Sequence, residues 1–313
     1  MTSRQMSRQP PPQDHFPRKL WGEMLGLLLP PTCRLCDSCV SEGEDFCGQC
    51  EKVFRSSEHV MQSACPVCGL PGAGAFRSRA GVFADTAKLD LTVQADPQLL
   101  NKASLPGNHA DTALDPTAEG CLGCIGKSIH FDACVAMWVY HDLIRDAVIA
   151  SKYGHQMALA DALGRRLGNC LCRHFSDSPH EVGVPDIITA VPSHVWRRIS
   201  RGAGGSRVIA MGLRDANADA WPQTKLVDCL AMTRRVRKQA LLGEKERQAN
   251  IRGAFRVTVP GWRSRKRPYL TGKHVLLVDD VMTTGATANE IAQTLKNAGA
   301  SRVTVAVVAR ASS

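Results

Sequence analysis

Residues 275–289 read VLLVDDVMTTGATAN, and this stretch decides the fold. Its first four residues are apolar and predict a short buried strand, with Asp279 and Asp280 at the carboxyl end of that strand. A small, hydroxyl-rich turn follows, and apolar residues at helical spacing then predict a helix. Because ligands of open α/β sheets bind outside the carboxyl ends of the strands, we expect a ligand site here.

The turn after the acidic pair has the features of a phosphate site. A glycine-containing turn that opens a helix offers backbone N–H groups and the positive end of the helix dipole, and both favour an anion. Two neighbouring carboxylates suit ribose hydroxyls, or a Mg²⁺ ion shared with the ligand. The pattern therefore predicts a sugar-phosphate ligand, and a plain strand–turn–helix with a capping Asp or Thr is the alternative. The turn consists of Thr283, Thr284, Gly285, Ala286 and Thr287.

This stretch resembles the phosphoribosyl-pyrophosphate (PRPP) motif of type I phosphoribosyltransferases. In that family the acidic pair contacts the ribose hydroxyls and the turn binds the 5′-phosphate. The resemblance implies the same roles for Asp279, Asp280 and the turn at 283–287, with Mg²⁺ accompanying PRPP.

From residue 131 onward, predicted strands and helices alternate. Such alternation favours a parallel sheet covered by helices on both faces, and we expect an α/β fold. The predicted strands are 133–140, 186–191, 225–230, 275–278 and 302–309, and the predicted helices are 141–153, 156–172, 206–213 and one that ends at Asn297.

Eight of the 13 cysteines form four C-x-x-C pairs. Two intervening residues let both thiolates bind one tetrahedral ion, and reduced thiols in a chain without an export signal favour structural Zn²⁺ over disulfides or redox chemistry. Four pairs predict two Cys₄ sites, an arrangement that resembles a double zinc ribbon. Sequential pairing is the simplest arrangement, and interleaved pairing is the alternative. The pairs are Cys33/Cys36, Cys47/Cys50, Cys65/Cys68 and Cys121/Cys124.

Composition predicts three regions in the chain of 313 residues. Residues 1–19 form a polar, proline-rich tail that we expect to be disordered. Residues 20–130 form a zinc ribbon domain with a short leading helix and a flexible insertion at 71–119, and residues 131–313 form a phosphoribosyltransferase-like domain. No apolar run reaches the ~18 residues needed to span a bilayer, so we expect a cytoplasmic protein.

Three further stretches extend the resemblance to one particular family. They read YHDLIRDAVIASKYG at 140–154, AVPSHVWRRISRG at 190–202 and RKQALLGEKERQANIRGAF at 237–255. Together with the cysteine pairs and the acidic motif, they make the chain similar to the ComF family. That family is typified by a bacterial competence protein and a relative linked to the use of external DNA. The resemblance implies a zinc ribbon joined to a type I phosphoribosyltransferase fold.

Several residues outside the acidic motif are candidates for ligand binding. Pro192 and Ser193 follow a predicted strand, where a turn could offer N–H groups to pyrophosphate, and Arg201 could neutralise that group. Arg247 lies in a polar segment that could close over PRPP, or that only joins loops to the body. Lys152, near the end of a helix, is expected either to bind phosphate or to pack.

Two departures from the family bear on catalysis. ComF chains usually continue the Arg-Gly of this loop as RGFNQ, whereas Ala203, Gly204 and Gly205 stand here and remove an aromatic side chain and two amides. Purine salvage relatives often carry a carboxylate at the position of Thr283, where it can assist the incoming base. A purine acceptor is therefore not favoured, and the acceptor is not assigned.

The net charge of +10 is clustered, and such clusters suit the phosphates of a small ligand or of nucleic acid. One hypothesis is a PRPP-binding phosphoribosyltransferase. The other is a non-catalytic module of DNA uptake that binds single-stranded DNA or docks a competence helicase or another DNA-handling protein. A ligand-sensing regulator is a third class, but no helix-turn-helix pattern stands out. The clusters are Arg197, Arg198, Arg201; Arg234, Arg235, Arg237, Lys238; and Arg263, Arg265, Lys266, Arg267.

Overall fold

The structure is a computed structural model that describes residues 31–71, 121, 123–124, 126–177, 183–192, 205–234, 250–258 and 269–311. Its internal contacts define two compact units, Met1–Val53 and Phe54–Ser313. The predicted tail and nearly all of the predicted leading helix and insertion lie outside the described residues. The predicted domain boundary at residue 130 stays a prediction.

The strands among the described residues are β1 (Ala133–Val139), β2 (Ile187–Ala190), β3 (Lys225–Leu226), β4 (Leu230–Met232), β5 (Phe255–Val257), β6 (His274–Met282) and β7 (Arg302–Arg310). Five of them form a parallel sheet in the larger unit, in the order β1-β7-β6-β2-β3, which confirms the predicted α/β class. The short strands β4 and β5 form a separate antiparallel pair.

The helices among the described residues are α1 (Gly48–Met61), α2 (Asp142–Ala150), α3 (Met157–Asp177), α4 (Gly205–Ala216) and α5 (Ala286–Asn297), with a 3₁₀ turn at Gly154–Gln156. Helices cover the sheet because its central strands are apolar on both faces. Val275 and Leu277 of β6 belong to one buried cluster with Ile291 of α5, while the residue between them points to the opposite face. α4 packs on β6 and β2, and α3 packs on α4.

Two strands differ from their predicted extents. The strand predicted at 225–230 is wrong as a single element. The chain leaves the main sheet after Val227, whose N–H donates to the carbonyl of Ile188, and only the last predicted residue, Leu230, belongs to β4. β6 runs four residues past its predicted end at Val278. Its neighbour β7 continues beside it, and the last pair joins Met282 to Arg310. The acidic pair therefore lies within β6 rather than after it.

No helix among the described residues is long and apolar enough to cross a membrane. The cytoplasmic location stays a prediction.

Candidate functional site

The acidic pair lies at the carboxyl edge of the sheet, where β6 extends beyond the end of its neighbour β2. β2 ends at Ala190, and the last residue pair between the two strands joins Ala190 to Val278. Beyond that pair β6 continues with Asp279 and Asp280, both half-buried, while β2 gives way to Pro192. The two carboxylates therefore stand beside the end of a neighbouring strand, where the sequence predicted a ligand site.

Asp279 is held by the start of α4. Its Oδ1 accepts a hydrogen bond from Ser206 Oγ at 2.9 Å and another from the N–H of Asp280 at 2.9 Å. Burial, and then the charge of Asp280, raise the pKa of Asp279 to about 7. Near neutral pH this carboxyl can therefore exchange a proton, and a cation or hydroxyl donor would favour its ionised form.

Asp280 is paired with Lys152, which lies in the turn after α2. The Nζ of Lys152 is 3.2 Å from Oδ1 of Asp280, and the carboxylate side chain is only 13% exposed. Burial raises the pKa of Asp280, and the nearby ammonium group opposes that rise. The sequence predicted that Lys152 either binds phosphate or packs. In the structure its ammonium group contacts the carboxylate of Asp280, and phosphate binding by this residue stays a prediction.

The turn at 283–287, called the phosphate turn below, leads from β6 into α5. Gly285 has φ 79° and ψ 0°, a left-handed conformation that glycine adopts without steric cost, and it precedes the first helical residue. Its carbonyl accepts the first helical hydrogen bond, from the N–H of Asn289 at 2.8 Å. The first N–H groups of a helix lack the backbone acceptor of later turns, and that of Ala286 donates to Thr284 Oγ1 at 3.4 Å. The amino-terminal end of α5, with its positive dipole, therefore lies at the site.

Arg310, at the end of β7, is a site residue that the sequence reasoning missed. Its buried guanidinium donates from Nη1 to the carbonyls of Met282 at 3.2 Å and Thr283, at the start of the phosphate turn. The sequence feature that could have identified Arg310 is a charged residue placed directly after the predicted buried strand at 302–309. Ser206 was missed as well, and its signal was a serine at the start of a predicted helix.

The loop that departs from the ComF pattern ends at Gly205, the first residue of α4. A Cβ at this position would lie 2.9 Å from the carbonyl oxygen of Ser151, so the glycine allows the turn that carries Lys152 to approach α4. Ser193, Arg201 and Arg247 lie outside the described residues, and their roles stay predictions.

The cysteines gather into two groups by sequential pairing, within each of which all four sulfurs lie within 4.8 Å of one another. A tetrahedral Zn²⁺ with Zn–S bonds of ~2.3 Å separates its sulfurs by about 3.8 Å. The observed Sγ–Sγ distances of 3.5 to 3.9 Å fit that geometry and are far too long for disulfides. The first cluster is Cys33, Cys36, Cys47 and Cys50, and the second cluster is Cys65, Cys68, Cys121 and Cys124.

Comparison with known proteins agrees with both parts of this arrangement. The family model of the phosphoribosyl transferase domain matches residues 225–313, and that of the double zinc ribbon domain matches residues 24–82. Competence protein F of Haemophilus influenzae is 26% identical over 204 residues, which cover 65% of this chain and 83% of that protein. The ComF resemblance is confirmed.

A second ComF-like relative is DNA utilization protein YhgH of Escherichia coli strain K12. It is 27% identical over 212 residues, which cover 68% of this chain and 84% of that protein. A solved structure of a purine phosphoribosyltransferase from Pyrococcus horikoshii Ot3 aligns with 46% of this chain and 70% of its own, at 19% identity and a TM-score of 0.25.

The matched ranges show what the structure adds to this ComF-like chain. The zinc ribbon match ends at residue 82, so Cys121 and Cys124 join the second cluster only in three dimensions. The phosphoribosyl transferase match begins at residue 225, so it contains the acidic pair and the phosphate turn, whereas Lys152 and Ser206 precede it. Both clusters support structural zinc.

Proposed function

We propose that this chain binds PRPP, or a related phosphoribosyl ligand, together with Mg²⁺ at the carboxyl edge of the sheet. The observation that carries the proposal is the acidic pair on β6, followed after two residues by a helix-opening phosphate turn. Carboxylates and helix-opening backbone N–H groups on one short stretch match the hydroxyls and the phosphate of one sugar phosphate.

In this proposal each described residue has a defined task. Asp279 and Asp280 accept hydrogen bonds from the ribose hydroxyls, and Ser206 and Lys152 hold the two carboxylates in place. The phosphate turn binds the 5′-phosphate through its N–H groups. Pro192 would face the pyrophosphate. Ser193, Arg201 and Arg247 lie outside the described residues, and their predicted tasks are to bind the pyrophosphate and to close over the ligand.

Transfer of the phosphoribosyl group would require no nucleophile from the protein. The acceptor attacks the ribose as pyrophosphate leaves, and bound Mg²⁺ would stabilise the charge on the leaving group. Thr283, at the position where purine salvage relatives often carry a carboxylate, has a hydroxyl instead. The proposal therefore names no acceptor, and its test measures ligand binding rather than turnover.

Calorimetric titration of the zinc-loaded protein with PRPP, with and without Mg²⁺, tests the proposal. We expect binding that needs Mg²⁺ and that is lost in the double variant Asp279→Asn and Asp280→Asn. Asp228→Asn is the matched control, since this surface carboxylate is 56% exposed and pairs only with Arg207 in the described contacts. Absence of binding in the wild-type protein, or unchanged affinity in the double variant, would refute the site.

DNA handling is the second candidate function. It is favoured by the net charge of +10 and by relatives named for competence and DNA utilization. In this version the basic segments bind single-stranded DNA, and the zinc ribbon docks a competence helicase or another DNA-handling protein.

Binding of a labelled oligonucleotide at increasing salt concentration tests this second candidate. We expect steep salt dependence that becomes shallower when Arg234, Arg235 and Arg237 are replaced by glutamine. Salt-insensitive binding, or none at low salt, would remove the candidate.

A further inference from the structure

We propose that Arg310 is a positioning residue that couples the second cysteine cluster to the phosphate turn. The metal state of that cluster then sets how well the turn is ordered and how tightly the phosphoribosyl ligand binds. The part that concerns ligand affinity rests on the proposed function, whereas the part that concerns order in the turn does not.

The geometry joins the two sites through one side chain. On one side, Nε of Arg310 donates to the carbonyl of Cys68 at 3.0 Å, inside the C-x-x-C knuckle. On the other side, Nη1 donates to the carbonyls of Met282 at 3.2 Å and Thr283, where β6 passes into the phosphate turn. A further bond from Nη1 to the carbonyl of Ala311, at 2.6 Å, fixes the guanidinium on its own strand.

The electrostatics of the knuckle explain why a guanidinium can be buried there. Arg310 is only 6% exposed, and among the described residues it donates to four backbone carbonyls. A buried charge is costly unless it is paired. Four thiolates around one Zn²⁺ carry more negative charge than the ion neutralises, so a metal-loaded second cluster would offset the charge of Arg310. Metal loss would release the four ligands from one another, so the Cys68 carbonyl that Arg310 bonds would no longer be held in place.

A second contact ties the same region to the helix that follows the turn. Asn289, on the first turns of α5, accepts a hydrogen bond from the N–H of His130 at 2.6 Å and donates to the carbonyl of Ser128 at 2.9 Å. These residues lie in the segment that leads from Cys124 into β1. The knuckle is also attached to β1 itself, because the N–H of Cys134 donates to the carbonyl of Pro66 at 2.9 Å.

The two clusters therefore differ in what they support. The second cluster is buried within the larger compact unit, and Arg310 links its Cys68 to the start of the phosphate turn. The first cluster lies in the smaller unit. Metal loss from the second cluster should loosen the phosphate turn, and metal loss from the first provides the matched comparison.

The experiment measures hydrogen exchange of the segment 282–289 and PRPP affinity in the zinc-loaded full chain. Arg310→Lys keeps the charge but cannot reach carbonyls on both sides, so we expect exchange in the turn to rise, and affinity to fall, by about tenfold. Zinc content should stay unchanged. Thr304→Val is the control: it removes a buried hydroxyl from the same strand, bonded to His274 at 2.9 Å, and should leave turn and affinity unchanged.

A second pair of variants tests the role of the metal. Cys121→Ser should lose the zinc of the second cluster and expose the turn to exchange, while Cys36→Ser should lose the zinc of the first cluster and leave the turn protected. Equal effects of both cysteine variants, or a protected turn in Arg310→Lys, would overturn the coupling. If Cys121→Ser does not fold, the comparison of Arg310→Lys with Thr304→Val decides alone.

The result also separates this inference from the proposed function. If the wild-type protein does not bind PRPP, the proposed function fails, and exchange in the turn still tests Arg310. If the wild-type protein binds PRPP and Arg310→Lys keeps both affinity and protection, the coupling fails and the proposed function stands.

Discussion

Replacing Asp279 by asparagine should make the protein more stable at pH 8 while it removes ligand binding. The substitution keeps the shape of the side chain, and the new amide oxygen can still accept hydrogen bonds from Ser206 and from the N–H of residue 280. What disappears is an ionisable group whose charged form is disfavoured by burial and by Asp280. A site built to bind a ligand is here expected to reduce the stability of the fold.

The magnitude follows from the raised pKa of Asp279. A pKa change of one unit corresponds to about 1.4 kcal/mol, so a rise from 3.8 to about 7 corresponds to about 4 kcal/mol of lost stability at pH 8. This figure is an upper value, because the side chain is half-buried and keeps some contact with solvent. The folded protein binds the proton more tightly than the unfolded chain, so wild-type stability falls as pH rises from 3.8 to about 7 and is level above it.

Urea denaturation of the wild-type and Asp279→Asn proteins at pH 6 and pH 8 measures this effect. The stability advantage of the variant should be larger at pH 8 than at pH 6 by about 1 kcal/mol. Zinc binding affects both proteins alike, so it cancels in their difference.

Asp186→Asn is the control for this experiment, and its result should have the opposite sign. Burial of Asp186 acts to raise its pKa, but hydrogen bonds from Lys273 and from the N–H of His274 outweigh it and lower the pKa. That variant should lose stability equally at pH 6 and pH 8, because the contribution of Asp186 is complete above the usual aspartate pKa and is lost only as pH falls below it, toward the lowered pKa. An Asp279→Asn protein that is less stable than wild type at pH 8, or an advantage that does not change with pH, would refute the reasoning.

Three further substitutions test other contacts. Gly205→Ala places a Cβ 2.9 Å from the carbonyl oxygen of Ser151, so thermal unfolding should show a loss of about 1–2 kcal/mol, and the loss should be absent if α4 can shift. Lys152→Gln removes the ion pair to Asp280, so PRPP affinity should fall about tenfold by calorimetry, and unchanged affinity would contradict its positioning role. Burial lowers the pKa of His274, so its contribution to stability is complete above pH 6.5 and is lost as pH falls toward the lowered pKa. Unfolding midpoints measured from pH 7 to pH 5 should therefore fall less steeply in His274→Gln than in the wild type, and equal slopes would exclude His274 as the titrating group.

The parts of the fold that could be predicted from the sequence are those with local causes. The apolar run of β6, the acidic pair and the helical spacing of α5 stand on one short stretch, and two residues between cysteines suit a metal knuckle wherever they occur. The sequence left the pairing of the knuckles open, because sulfurs from distant pairs meet only after folding.

The remaining site contacts depend on tertiary structure. Lys152, Ser206 and Arg310 come from three separate elements, and each acquires its role from a partner distant in sequence. The strand predicted at 225–230 failed for a similar reason. Its first two residues pair with β2, but Leu230 at its end pairs with β5 instead.

The second cluster takes its ligands from both sides of the residues that separate Cys68 from Cys121, and their sulfurs lie 3.6 Å apart. A metal ion at this cluster would clamp the two ends of that connection. The entropy of closing a loop grows only with the logarithm of its length, about 0.6 kcal/mol for each doubling. Evolution can therefore lengthen or shorten the chain at this junction with little effect on the rest of the fold. The same property makes the junction a suitable place to insert a fluorescent reporter domain.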